Sequence, residues 1–326
     1  MSQGWVVTLI SLGYLIVLFG IAWYGDKKRQ WLARWRPWIY SLSIAVYCTS
    51  WTFYGTVGQA SDDTWSFVPI YLAPILVFVF AWRVLARIIL IAKREHITSI
   101  ADFIAARYGK SQALAVAVTL IALLGILPYI ALQLRGIALG VEQIAPQLSQ
   151  TLVQEWGRVD FMFMLTLLLA LFTIVFGSRH IDTTEHHRGL MLAVAFESLL
   201  KLVAFLLLAG FAVFWLIQPP VSSIILSMSS FSWQTPNWPT FAIHTLLAMT
   251  AIICLPRQFH TIVVENQQPK DLHLARKVFP LYLLLMGLGV LPIAILGQQL
   301  LPTVSADTLV INLPLYLQHN LSLIHI

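Results

Sequence analysis

The sequence predicts an all-α polytopic membrane protein with about eight transmembrane helices, on three observations. Apolar blocks recur along the 326 residues, and most reach the roughly 20 residues that a helix needs to cross a bilayer. Only 10% of residues are charged against 59% hydrophobic, with a mean hydropathy of +0.80. A soluble domain carries about 25% charged residues. Finally, the 20 Lys and Arg border the blocks at every second gap, and only Arg158 falls in a gap read as outside. Short cytoplasmic loops collect Lys and Arg, so this alternation sets orientation as well as location, with the amino terminus outside.

Each element follows from that pattern. The first span runs about Gly4 to Trp23, and the basic run Lys27-Lys28-Arg29 after it marks an uncleaved helix. The second, about Trp38 to Tyr54, leads to an outer loop with Asp62 and Asp63. The third, Ser66 to Ile91, returns to Lys93 and Arg94, with Arg83 and Arg87 snorkelling at its inner end. Thr98 to Gly109 reads as a short amphipathic helix on the inner surface, capped by Ser99 with Asp102 and stopped by Gly109. The fourth span, Leu114 to Val141, carries Pro128, which should kink it. The fifth runs Phe161 to Phe176 and the sixth Leu190 to Ile217, with the inner loop Arg179 to Arg188 between them. An uncharged outer loop, Gln218 to Thr240, precedes the seventh, Phe241 to Leu255. The eighth runs Val278 to Leu300.

Several function classes drop out. The net charge of +6 sits in separate loop clusters rather than one face, which argues against nucleic acid. Cys48 and Cys254 cannot build a disulfide framework or a thiolate metal site. His180, Glu185, His186 and His187 match no zinc spacing and read as a solvated loop. No phosphate-binding, dinucleotide or hydrolase motif occurs, so these residues carry no enzyme signature.

Two features carry chemistry. Tyr47-Cys48-Thr49-Ser50-Trp51-Thr52 places polar side chains at mid-membrane depth. Such residues either glue helices together or face a wet cavity beside an unwound helix whose carbonyls can hold a cation. Glu197 and Lys201 lie four apart on the sixth span, with Lys201 about 18 Å deep at 1.5 Å per residue. They form an intramembrane ion pair, functional or orienting.

The strings Tyr54-Gly55-Thr56-Val57-Gly58, Phe176-Gly177-Ser178-Arg179-His180-Ile181, Ala195-Phe196-Glu197-Ser198 with Lys201, and Leu255-Pro256-Arg257-Gln258-Phe259-His260 with Glu265-Asn266 resemble the sodium:solute symporter family. The closest likeness is to the symporter-like membrane module at the amino end of bacterial sensor histidine kinases. It spans Tyr14 to about Gly297. The resemblance implies an incomplete LeuT-type bundle over residues 1–320: a leading helix at 4–23, a first five-helix repeat at 38–217 and the start of an inverted second repeat at 241–300. Residues 321–326 stay unassigned. The second and seventh spans would be the paired, partly unwound helices.

By position, the resemblance assigns backbone carbonyls of Val46 and Thr49 to a sodium ion, the one candidate cofactor. It assigns Tyr47, Cys48, Ser50, Trp51 and Thr250 to the solute path. Sodium/proline carriers have an acidic residue where Cys48 aligns; this chain does not. The implied function is solute sensing within a two-component signal-transduction kinase, and the alternative is a sodium-coupled transporter of an amino acid or other small organic solute. The implied setting is the bacterial inner membrane. The implied partners are the solute, the lipid bilayer and, beyond Ile326 in a longer parent, kinase domains and a response regulator.

Overall fold

The computed structural model describes residues 3–27, 29–144, 188–218 and 235–324, with isolated positions between 154 and 171. The described residues form helices and no strands. In chain order they are α1 (Gln3–Lys27), α2 (Arg29–Ser43), α3 (Ser50–Asp62), α4 (Val68–Phe80), α5 (Trp82–Arg94), α6 (Ile100–Arg107) and α7 (Gln112–Ile144). After residues outside this description come α8 (Arg188–Ile217), α9 (Trp238–Cys254), the short α10 (Pro256–Phe259), α11 (Leu272–Leu300) and α12 (Leu309–Ile324). The expected fifth span and the His180–His187 loop lie outside the described residues.

α11 is the central post. It packs against α8, α4, α2 and α3, and Phe279, Leu283, Met286, Val290 and Ile293 along it are fully buried. Phe279 meets Phe78 of α4 edge-on at 4.8 Å, while Phe205 of α8 meets Phe53 of α3 at 5.0 Å. Within lipid such contacts act through close packing, because the surrounding chains are as apolar as the side chains.

Three helices are long and apolar enough to cross a membrane: α7, α8 and the stretch Pro269–Leu300. Two bent pairs qualify if each is taken as one span, giving up to five among the described residues. Large apolar side chains such as Ile121, Leu124, Leu207 and Leu288 are exposed along the three long helices. Apolar surface of that extent marks a membrane protein.

The expected third span is one of the bent pairs. It turns by 74° between α4 and α5. The reason lies in α5, where Leu85, Ile89 and Ala92 face the core while Arg83, Arg87 and Arg94 stay exposed. A helix with that charge load resists lying along α4 through hydrocarbon. Arg276 stacks over Trp82 at 4.5 Å and fixes the corner. α7 is assigned as one continuous helix through Pro128. The expected inner-surface helix corresponds to α6: Ser99 accepts from the Asp102 N–H at 3.1 Å, and Gly109 and Lys110 take positive φ after its end.

Candidate functional site

The second and seventh expected spans are both broken, and the breaks face each other. α2 tightens into a 3-10 turn at Ile44–Tyr47, closed by the Cys48 N–H on the Ala45 carbonyl at 2.9 Å. Cys48 and Thr49 are extended, and α3 starts at Ser50. Thr49 donates its N–H to Thr52 Oγ1 at 3.1 Å, so a hydroxyl three residues on satisfies the new helix start. The second break has a simpler cause. Pro256 disfavours helical geometry at Leu255, which is extended at φ −64°, ψ 125°. A 55° bend follows, and the chain continues through α10 into a π-helical turn, His260–Val264.

Between the breaks lies a cavity of about 190 Å³. Tyr47, Thr49, Trp51, Thr52, Gly55, Thr56 and Gln59 line one wall. Ala248, Ala251, Leu255 and Arg257 line the opposite wall, with Tyr129 and Gln133 of α7 and Ile70 of α4 between them. Gln133 Oε1 accepts from Ser50 Oγ at 3.0 Å and, more weakly, from the Trp51 N–H at 3.5 Å. Its Nε2 is buried without a partner among the described residues. Arg257 Nη2 donates to the Tyr129 hydroxyl at 2.8 Å. Tyr47 donates to the Ile70 carbonyl at 2.9 Å and meets Phe279 edge-on.

Gly55 permits this wall. The Trp51 indole folds back over its Cα, where a Cβ would collide with Nε1. Arg135 lies over the Trp51 ring, 6.0 Å from its centre. Near the far end of α3, Gly58 gives the same close approach to Asp307, on the turn Ala306–Thr308, and Gln298 donates to the Ser61 carbonyl. Burial raises the Asp307 carboxyl, Arg135 opposes that shift and Asp62 adds to it. One end of α3 thus has a packed cover.

The opposite end is tied by ions. Arg36 grips Asp271 through Nε at 2.8 Å and Nη2 at 3.1 Å. Tyr40 donates to the Ile262 carbonyl at 2.7 Å, and Lys93 to the Gln267 carbonyl at 2.7 Å. The Arg36 and Tyr40 contacts hold α2, the half-helix before the first break, against the segment after the second, and Lys93 ties α5 to the same segment.

The residues singled out in the sequence fall in different places. Tyr47, Thr49 and Trp51 line the cavity. Ser50 supports it through Gln133. Cys48 is buried, 1% exposed, and Val46 is half-buried in the 3-10 turn. Thr250 is exposed on α9, and its hydroxyl turns to the Leu247 carbonyl. Its helix neighbours Ala248 and Ala251 face the cavity instead. Glu197 and Lys201 form their pair at 2.5 Å, away from the cavity lining. Among the described residues no cluster of His, Cys, Asp and Glu is placed to hold a metal.

Sequence reasoning missed Tyr129, Gln133 and the cover residue Asp307. A signal existed for the first two: Tyr129 and Gln133 stand one helical turn apart on α7, beside Pro128, within the apolar stretch between Thr119 and Arg135.

Comparison with protein families, curated proteins and solved structures finds no match in any of the three.

Proposed function

We propose that this chain is the solute-binding membrane module of a symporter-like sensor. Solute binding between the broken helices shifts a rocking equilibrium, and in a longer parent the shift passes to a cytoplasmic histidine kinase. The observation that carries this reading is the meeting of two helix breaks, at Cys48–Thr49 and at Leu255, on one cavity whose mainly apolar wall carries a few polar side chains, Thr49, Tyr129, Gln133 and Arg257 among them. Discontinuous helices with free backbone groups at a shared cavity suit solute and ion binding within a bilayer. The proposal carries with it the LeuT-type inverted repeat, which the paired breaks favour, and the eight-span topology in an inner membrane. The strings noted in the sequence favour a kinase-linked module.

The test needs no knowledge of the solute. Ala251→Cys, in a background without Cys48 and Cys254, reacts with a membrane-impermeant maleimide, whereas Ile121→Cys does not. An inert Ala251→Cys in folded, membrane-inserted protein overturns the reading. A second reading, a sodium-driven carrier, draws on the extended backbone at Cys48 and Thr49, which takes their carbonyls out of the helical ladder. It predicts sodium-dependent uptake in proteoliposomes, lost on Thr49 replacement. Uptake indifferent to sodium counts against it.

A further inference from the structure

We infer that the solute held in this cavity carries a carboxylate, gripped by Arg257 with help from Tyr129 and Gln133. The inference rests on the cavity being a solute site and goes further by naming the chemical class. The charge inventory is one-sided. Arg257 is the single ionised side chain in the lining, and neither Asp nor Glu appears there. Among the described residues no carboxylate pairs with it. A guanidinium has five N–H donors in a rigid fork that matches a carboxylate, and Tyr129 takes a bond from one of its nitrogens, Nη2.

The neighbours add donors. Tyr129 accepts from Arg257, so its own hydroxyl proton is left to give. Gln133 is oriented by what it accepts: the Trp51 N–H and Ser50 hydroxyl both point at Oε1, which turns the unpartnered Nε2 away as a donor. A fully buried donor without a partner is costly, and a solute carboxylate that it reaches by a small rotation of the amide satisfies it. A half-buried guanidinium without a carboxylate partner is costlier still, and a bound carboxylate neutralises it. The body of the solute meets Tyr47, Trp51 and Ala251. About 190 Å³ equals about six waters at about 30 Å³ each, room for one ring with a carboxylate.

Three probes of nearly equal shape separate the charge classes: phenylacetate, phenylacetamide and phenethylamine. Each is tested for slowing maleimide labelling of Ala251→Cys in the full chain, in membranes. Phenylacetate protects, and the amide and amine do not. Arg257→Gln raises the phenylacetate concentration needed by about 10- to 100-fold, the worth of a charged hydrogen bond. Arg257→Lys recovers part of the loss. Tyr129→Phe, which keeps the cation, weakens protection less than Arg257→Gln. Equal protection by amide or amine, protection by none of the three, or protection unchanged in Arg257→Gln overturns the inference. An unlabelled Ala251→Cys instead removes the cavity reading beneath it, so the two failures are distinguishable.

Discussion

Replacing Arg36 by Met leaves a carboxylate stranded, and the structure sets the size of the effect. Asp271 is 1% exposed and Arg36 21%. The carboxylate receives both Arg36 bonds, at 2.8 and 3.1 Å. Removing one partner of a buried pair costs about 3–5 kcal/mol, because the remaining charge keeps its desolvation cost without its counter-ion. A cavity of about 150 Å³ is lined by both residues and admits some water, so the loss should sit near the lower end, about 3 kcal/mol. The reverse change is milder. Asp271→Asn leaves a cation that already reaches solvent, and the amide oxygen still accepts from it, for a loss of about 1–2 kcal/mol. The double variant should cost less than the sum of the two. Equilibrium unfolding of the four proteins in one detergent, read by near-ultraviolet circular dichroism, gives the cycle. Equal single losses, or losses that simply add, would show that the asymmetric burial of this pair does not govern its energetics.

Other outcomes follow from the same physics. Neutralising Glu197 or Lys201 alone should cost about 2–3 kcal/mol, since a lone charge then faces hydrocarbon, whereas the exchanged pair should lose less; a double-mutant cycle that comes out additive removes the coupling. Gly55→Ala should cost about 1–3 kcal/mol by overpacking against the Trp51 indole, and Trp51→Ala made first should abolish most of that cost in thermal unfolding. Asp307 binds its proton more tightly in the folded state, because burial raises its carboxyl from the ordinary 3.8. Its contribution is therefore full below 3.8 and is lost as pH rises through the folded value. The thermal midpoint of the wild type should fall across that window relative to Asp307→Asn, and parallel curves would refute the assignment.

The two central breaks show how far sequence reading reaches. The Leu255-Pro256 break is local chemistry, since proline restricts the residue before it wherever the pair occurs. The polar run Tyr47 to Thr52 signalled that the second span was unusual, and Thr49 and Thr52 cap the new helix within three residues of each other. The 74° corner at Ala81 was hidden, because a hydropathy window averages the apolar stripe of α5 with its arginines.

Amino-acid order by itself settled the helical class, the membrane character and the positions of most helices, because apolar length and capping act within a few turns. It also placed Glu197 and Lys201 on one face, which fixed spacing alone ensures. Only the tertiary structure decided that Tyr129 and Gln133 line one cavity with Leu255 and Arg257, that Thr250 turns away from it, and that Asp307 sits over Gly58. Those are contacts between residues tens to hundreds of positions apart. Such contacts depend on how helices cross and rotate against α11, and no local pattern encodes that.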